Sequence, residues 1–507
     1  MQRTKRSFYN VVVTVTTNVV ILLTAFVVQK VLISSLGADY NGINGLFTSI
    51  ISMMSLTDLG IGSAIIYHLY RPAAENHYKV INALLRFYRN SYIAISGVVL
   101  VIGAVVVFFI PQLVGKVQIQ DNIYFIFCLF LADCLCSYFL SYKKSLLYAY
   151  QMNYILDGIH FFYYILQNAA QVIVLLYFRS YIAFLILKII SKCIENGTIS
   201  YYIRKNYSFT SDRQIYPLDK EVKYDIIKKV KGLLFHRLGS LLVTGSDSLV
   251  ITSILGIFQM NLYTNYHLII GGLTALLNKV FETLTSSVGN FLLDSSAERR
   301  REIYKNIDFL NFWFFGCCSV ILYTVLQPVI ILWIGEKYLL AGPTVFVLTL
   351  NFYIQGMRDS VLTFKDAAGI YHQDRYMPLC EAMINIVCSV FLAHRIGMTG
   401  IFAGTILSAG VVYLYSYPRY VCGPLFDMGY GEYYGQTLHH LIFVIAVMWI
   451  SGVLTAQVPK DNLWLYSAQA IIISVLVFHV CLAAVYGRSR PAKYYRDIAE
   501  KLIFKRK

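Results

Sequence analysis

The chain has 507 residues, of which 57% are hydrophobic and only 14% are charged, and its formal net charge is +16. Average soluble proteins carry about 25% charged residues, so this composition excludes a soluble enzyme, a disordered protein and a disulfide-rich secreted module. A helix that crosses a bilayer needs about 20 apolar residues, and a chain of this length holds about fourteen such helices with short connectors. The composition therefore predicts a polytopic membrane protein.

Apolar windows and the polar breaks between them predict fourteen membrane spans, numbered 1 to 14 along the chain. Helices are required because lipid cannot satisfy open backbone polar groups, and the alternating pattern of membrane β-strands is absent from the sequence. The predicted fold class is an all-α integral membrane protein. The spans are residues 8–36, 43–70, 88–110, 122–142, 155–178, 181–203, 233–256, 258–292, 307–334, 343–364, 376–394, 398–417, 434–457 and 462–486.

Lysine and arginine are concentrated in alternate connectors between the spans. The connector 204–231 holds eight of them and the tail 488–507 holds another eight. The connectors that alternate with this basic set hold few. Positively charged connectors stay on the cytoplasmic side of a membrane, so we expect a multi-pass protein of the cell membrane with both termini in the cytoplasm. This distribution suits contact with anionic membrane lipids and gives no support for a nucleic-acid partner.

The connector 204–231 separates six spans from the rest, and the sequence repeats faintly on either side of it. Ile33-Ser-Ser-Leu-Gly37 ends span 1, and Thr252-Ser-Ile-Leu-Gly256 ends span 7. Because six is an even number, two six-helix bundles would share one orientation and be related by a parallel pseudo-twofold axis along the membrane normal. The predicted domains are an N-terminal six-helix bundle (1–205), a cytoplasmic linker (206–231), a C-terminal six-helix bundle (232–425) and two additional helices with a basic tail (426–507).

Polar side chains inside membrane spans are costly, so they normally face a cavity or a partner. Span 5 carries such side chains at helical spacing, which places them on one face. We expect this face to line a water-filled cavity, and a hydrogen-bonded seam between helices is the alternative. The face consists of Asp157, His160, Tyr164, Gln167, Asn168 and Gln171.

Cationic side chains in the spans are candidates for binding an anionic substrate, because guanidinium and ammonium groups suit phosphates. The candidates are Lys188 and Lys192 in span 6, Arg237 in span 7, Arg358 in span 10, and Arg86 and Arg89 at the expected cytoplasmic entrance. A structural ion pair is the alternative for each of them. Pairs near in sequence are Lys192 with Glu195, Lys279 with Glu282 and Arg358 with Asp359.

Four segments carry a resemblance to a known family: Thr57-Asp-Leu-Gly-Ile-Gly-Ser-Ala64, Ser145-Leu-Leu-Tyr-Ala-Tyr-Gln-Met-Asn-Tyr154, Lys365-Asp-Ala-Ala-Gly-Ile-Tyr-His-Gln-Asp-Arg-Tyr376 and Arg395-Ile-Gly-Met-Thr-Gly-Ile-Phe-Ala-Gly-Thr405. In their order and spacing they resemble segments of Wzx-type polysaccharide flippases, members of the multidrug/oligosaccharidyl-lipid/polysaccharide superfamily. The resemblance covers essentially the whole chain. It implies a V-shaped, MATE-like pair of six-helix bundles that moves a lipid-pyrophosphate-linked glycan by alternating access.

The sequence therefore predicts a flippase that translocates a polyprenyl-pyrophosphate-linked oligosaccharide across the cytoplasmic membrane for capsule, exopolysaccharide or other envelope polymer. The absence of zinc-protease, P-loop and G-x-S-x-G motifs argues against an enzyme, and no cofactor is expected. The expected partners are the lipid-linked oligosaccharide, membrane lipids, a polysaccharide polymerase and glycosyltransferases. Asp247 and Glu282 are candidates for coupling this transport to an ion. The alternatives are a cation-coupled multidrug exporter or a lipid II flippase of the same fold. A membrane glycosyltransferase is disfavoured because no large outward connector carries acid and base residues.

Overall fold

The computed structural model describes the backbone of residues 2–55, 61–115, 117, 119–212, 214–371 and 373–504. Within these ranges, the side chains of 2–16, 63, 211, 229, 231–237, 240, 244, 283, 286, 290, 293–294 and 501–504 are not described. All regular secondary structure in the described residues is helical. The chain divides into two compact units, Met1–Thr264 (unit 1) and Asn265–Lys507 (unit 2).

Unit 1 consists of nine α-helices and the start of a tenth in its described residues. A π-helical turn, Ile251–Leu255, follows the ninth helix, and a short 3-10 helix, Ser208–Ser211, follows the eighth. The α-helices are α1 (Gln2–Leu36), α2 (Ala38–Met54), α3 (Ile61–Ala74), α4 (Tyr78–Val114), α5 (Ile123–Tyr138), α6 (Ser141–Ala149), α7 (Asn153–Tyr177), α8 (Tyr181–Asn206) and α9 (Lys220–Val250).

Unit 2 begins within the long helix α10 (Ile257–Asp294). A π-helical segment, Val412–Cys422, continues α15, and a 3-10 turn, Glu336–Tyr338, follows α11. The helices after α10 are α11 (Ala297–Ile334), α12 (Gly342–Gly356), α13 (Arg358–Ala368), α14 (Met377–Ile396), α15 (Met398–Val411), α16 (Gly423–Phe426), α17 (Tyr430–Ala456), α18 (Leu463–Tyr486) and α19 (Arg490–Phe504).

The fourteen predicted spans all overlap helices. In the described part of the chain, ten helices are long and apolar enough to cross a membrane. In their described residues the other four predicted spans also overlap helices, but each is divided or charged. Span 2 is shared by α2 and α3, and span 10 by α12 and α13. Span 6 contains two lysines and a glutamate. The helix α9, which contains most of span 7, begins in the charged connector. The prediction of an all-α, multi-pass membrane protein is confirmed.

At two helix breaks inside the spans, backbone carbonyl groups accept hydrogen bonds from an asparagine side chain of a neighbouring helix. In unit 1, Asn196 of α8 donates to the carbonyl groups of Cys136 (2.9 Å) and Phe139 (3.1 Å), where α5 ends. In unit 2, Asn311 of α11 donates to the carbonyl of Gly356 (3.0 Å), where α12 ends. Backbone groups freed by a break need such partners because lipid offers none.

Predicted spans 11 and 12 correspond to α14 and α15, which pack against each other as a hairpin. Asn385 of α14 donates to the hydroxyl of Thr405 at 2.9 Å. Gly404 faces Ser389, and a Cβ built on Gly404 would lie 2.6 Å from the backbone nitrogen of Ser389. Small residues permit this close approach of two membrane helices.

We expect Gly404→Ala to force α14 and α15 apart and to lower the free energy of unfolding by about 1–3 kcal/mol, the usual cost of overpacking. The measurement is the thermal unfolding temperature of the purified protein in detergent. Gly410→Ala is the matched control on α15, because its Cβ would meet only the Leu414 side chain at 3.8 Å. Equal melting temperatures for the two variants would contradict the close contact at Gly404.

Candidate functional site

Lysines and carboxylates of three helices form a group of ion pairs in unit 1, here called the lysine cluster (Asp133, Lys144, Lys188, Lys192 and Glu195). Lys188 and Lys192 lie one turn apart on α8, and both contact Asp133 of α5, with Nζ–Oδ distances of 3.1 Å each. The two lysine side chains keep 31% and 32% of their surface exposed. They are therefore accessible, unlike the cations of a fully buried structural pair.

The second half of the lysine cluster surrounds Glu195 on α8. Its carboxylate lies 3.5 Å from Nζ of Lys144 on α6 and 3.3 Å from Nδ1 of His160 on α7. The pair that the sequence suggested, Lys192 with Glu195, is not formed, because Asp133 of the neighbouring helix takes Lys192 instead. Three lysines thus share two carboxylates, so the cluster carries one excess positive charge, and protonation of His160 would add another.

The polar face predicted on span 5 is divided between two environments on α7. Asn168 and Gln171 are buried, and Gln171 donates to the carbonyl of Phe184 on α8 at 3.0 Å. Asn168 donates to the carbonyl of Tyr164 at 2.7 Å, and the Tyr164 hydroxyl donates to α1 at the carbonyl of Ile21 (3.4 Å). This half, which includes Gln167 through a 3.4 Å contact with Gln171, forms the interhelical seam that was the alternative expectation.

The other half of the face is open. Asp157 and His160 are exposed, and His160 contacts the lysine cluster through Glu195. Periodicity alone places all six side chains on one face and cannot show which turns a neighbour covers.

The two arginines predicted at the entrance lie together at a cavity of about 360 Å³ in unit 1, here called the basic cavity. Arg86 and Arg89 come from α4, and Lys143 comes from α6, where it donates to the Ser200 hydroxyl at 2.6 Å. Within the described residues neither arginine forms an ion pair. The next lysine of α6 belongs to the lysine cluster, so α6 connects the two groups of cations.

The connector after α8 closes one side of the basic cavity. Asn82 of α4 donates to the carbonyl of Phe209 at 2.8 Å. Asp212 and Gln214 line the cavity, and the backbone N–H of Gln214 and the Tyr216 hydroxyl, both donating to Asp212, lower the pKa of its carboxyl. Asp212 thus stays ionised, but it faces three cations.

The remaining predicted residues are placed in other environments. Arg358 forms an ion pair with Glu381 of α14, with Nη1–Oε2 at 3.3 Å, and not with Asp359 as the sequence suggested. Their side chains are only 16% and 4% exposed, which favours a structural pair. The predicted pair of Lys279 with Glu282 is present at 2.6 Å and is exposed.

Asp247 is buried in α9 of unit 1. The side chain of Arg237 lies outside the described residues, as do residues 57–60 of the first family-like segment. These predictions stay untested by the geometry. Sequence reasoning missed Lys143 and Lys144 as site residues, because lysines at the end of a span also indicate its orientation in the membrane.

Comparison with known proteins identifies the fold. No protein-family model matches the chain, and no curated protein matches it. The solved structure of the lipid II flippase MurJ in an inward closed conformation matches with a TM-score of 0.61 and 14% identity, over 96% of this chain and 99% of MurJ. An inward-facing MATE-family multidrug transporter of the MOP superfamily matches with a TM-score of 0.56 and 12% identity, over 78% and 95%. The Vibrio cholerae MATE transporter VcmN matches with 0.56 and 14%, over 80% and 93%.

At these identities the likeness establishes the fold alone. The chain has the fold of MurJ and of the MATE transporters, which confirms the expected fold class but does not test the Wzx-type assignment. The alignment with MurJ covers so much of the chain that it must extend into the last two membrane helices. The neighbours are named as flippases or transporters.

We expect Asp133→Asn to lower the thermal unfolding temperature in detergent, because two ammonium groups would then face each other without a carboxylate. Adding Lys188→Gln should restore part of the loss, and the coupling energy should be at least about 0.5 kcal/mol. Glu302→Gln, which removes an exposed ion pair with Arg299, is the control and should have little effect. Additive effects of the two cluster substitutions would contradict a shared contact.

Proposed function

We propose that the protein is a flippase that moves a polyprenyl-pyrophosphate-linked oligosaccharide across the cell membrane by alternating access, for the synthesis of an envelope or capsular polysaccharide. The observation that carries this proposal is the excess of accessible cations in unit 1, where the lysine cluster and the basic cavity adjoin through α6. The fold shared with a lipid II flippase supports it.

The chemistry of the cations fits a diphosphate. An arginine offers two parallel donors to one phosphate group, and a lysine offers a compact charge. Arg86 and Arg89 have no carboxylate partner among the described residues, so their donors are available to an anion. Lys188 and Lys192 share a single carboxylate, so a phosphate could replace part of that contact without leaving a charge unmatched.

The order of these groups suggests a route. With both termini in the cytoplasm, the basic cavity would lie at the cytoplasmic side and receive the diphosphate first. The lysine cluster lies further into the membrane, and Asp157 and His160 beside it would contact the sugars through hydrogen bonds. Asn168 and Gln171 would hold α7 in place, whereas Arg237 stays a proposed contact.

The membrane potential would supply free energy for this direction of transport. An inside-negative potential favours outward movement of a negative charge by about 2.3 kcal/mol per 100 mV. A doubly charged headgroup gains about twice that amount, provided that no cation accompanies it. A polymerase on the outer side and glycosyltransferases on the inner side would be the functional partners.

Lipid II flipping is the second candidate, because MurJ shares the fold over nearly the whole chain. Both substrates present a lipid, a diphosphate and a sugar, so the cation groups suit either one. A multidrug exporter is supported by the MATE neighbours, but a cationic drug would meet repulsion at the lysine cluster.

The proposal is tested with proteoliposomes that contain a fluorescent polyprenyl-diphosphate oligosaccharide. We expect Lys188→Gln/Lys192→Gln and Arg86→Gln/Arg89→Gln each to slow translocation by at least about tenfold, because each removes charge-assisted hydrogen bonds to the diphosphate. Arg179→Gln is the matched control, since this cation of unit 1 is exposed between α7 and α8. Its rate should equal that of the unmodified protein.

Parallel vesicles separate the candidate substrates. Lipid II, a lipid-linked monophosphate sugar and a cationic drug are offered under the same conditions. Faster movement of lipid II selects the second candidate, and movement of the drug alone contradicts both flippase assignments. Unchanged translocation in the two double variants would show that the cations of unit 1 do not contact the diphosphate.

A further inference from the structure

A row of polar contacts runs between α11 and α17 in unit 2. At one end, Lys305 Nζ of α11 lies 2.6 Å from the Glu432 carboxylate of α17, which also pairs with Arg301. Further along both helices, Gln436 of α17 donates to Oδ2 of Asp308 at 2.6 Å. The first contact is an ordinary ion pair, whereas the second involves a carboxylate without a basic amine or guanidinium partner.

Asp308 is almost fully buried, with 5% of its surface exposed. Its Oδ1 accepts a hydrogen bond from Ser360 of α13 at 2.8 Å, and the imidazole Nδ1 of His440 lies 3.6 Å from Oδ2. Among the described residues His440 is its only basic neighbour within ion-pair distance. The other titratable groups that interact electrostatically with Asp308 are Tyr304, Tyr353, Tyr413, Cys422, Tyr433 and Tyr486.

His440 is equally buried, and its Nδ1 has no hydrogen-bond partner. The ring stacks on Phe312 of α11, with centroids 4.1 Å apart and the planes 14° from parallel. The adjacent His439 side chain is turned to the Tyr486 hydroxyl, at 2.7 Å, and does not complete the site. The hydroxyl of Tyr433 is also buried and without a partner.

These three groups line one cavity. Asp308, Tyr433 and His440 form polar positions in an otherwise mostly apolar and aromatic space of about 340 Å³. A buried polar atom without a partner is rare, and a bound proton, ion or water is one explanation for it. A buried carboxylate without a compensating charge favours uptake of a proton, and an imidazole is the side chain that exchanges protons near neutral pH.

We propose that Asp308 and His440 form a proton-binding site in unit 2. The proton occupies the gap between Nδ1 of His440 and Oδ2 of Asp308, which then closes to a hydrogen bond. The π-face of Phe312 favours a protonated imidazole over its ring. A sodium ion is disfavoured for two reasons. One neighbour of Asp308 is a histidine nitrogen rather than an oxygen, and the side-chain N–H group of Gln436 points its positive end at the carboxylate and would repel a cation.

The proton would change how three helices are joined. Asp308 holds α13 through Ser360 and α17 through Gln436, so one carboxylate connects both helices to α11. The helix α13 begins at Arg358, directly after the break that follows α12. Occupation of the site therefore alters the attachment of α17 and of the short helix α13 together. On the proposed function, which this last step requires, the translocation rate becomes dependent on pH.

The direct test measures proton uptake by the purified protein in lipid nanodiscs as the pH falls from about 8 to about 5, with infrared difference spectra of carboxyl and imidazole bands. The unmodified protein should take up about one proton more than Asp308→Asn or His440→Gln. Asp461→Asn, which removes an exposed carboxylate, should retain the site's infrared signature. Because the two substitutions lie on different helices, α11 and α17, the test still gives a result if one of the variants does not fold.

The outcomes are distinct. Loss of the same proton in both variants supports a site shared by the two side chains. Loss in Asp308→Asn alone, with a protonated-carboxyl band remaining in His440→Gln, supports the site and assigns the proton to Asp308. Uptake equal to that of the unmodified protein in both variants overturns the proposal. Displacement of the proton by sodium chloride, but not by choline chloride, also overturns it in favour of a metal-ion site.

Translocation assays at two pH values separate this inference from the proposed function. The unmodified protein should change its rate with pH, and Asp308→Asn should not. If no variant translocates the diphosphate substrate but proton uptake is still lost in the variants, the flippase proposal fails and the proton site stands. A rate that varies equally with pH in Asp308→Asn overturns the link between the site and transport.

Discussion

The cost of a charge in hydrocarbon without a partner governs the interior of this protein. The two units meet this cost differently. In unit 2 the buried pairs are one to one: Arg358 with Glu381, and Lys365 with Asp374 at 2.5 Å. In unit 1 the lysines outnumber their carboxylates and keep part of their surface open. Balanced pairs stabilise a bundle, whereas an unbalanced and accessible group can also receive an anion.

The helices could be predicted from the sequence because the bilayer itself imposes their length and composition. A window of apolar residues marks a span without reference to its neighbours. The exceptions are informative. The division between α12 and α13 has no proline or charge run to mark it, and it is tolerated because Asn311, on another helix, supplies a donor.

The partners of the charged groups could not be predicted in the same way. The sequence paired Lys192 with the glutamate one turn away, but the structure pairs it with Asp133, 59 positions earlier in the chain. Likewise, Asp308 and His440 are separated by 132 positions and meet only because α11 packs against α17. Such contacts depend on which helices are neighbours, and hydrophobic patterns do not encode that choice. Arg86 and Arg89 could be placed beside each other from the sequence, because both lie on one turn of one helix.

The charge content of α8 has a consequence for how the protein is made. With Lys188, Lys192 and Glu195 in its middle, α8 does not qualify as an apolar span on its own. If helices entered the bilayer one at a time from the translocon, insertion of α8 alone would be unfavourable because of these charges. The carboxylate that neutralises α8 arrives earlier, on α5, and Asn196 binds the end of that same helix. The contacts with α5 therefore lower the cost of placing α8 in the bilayer, and this compensation is present only once α5 and α8 lie side by side.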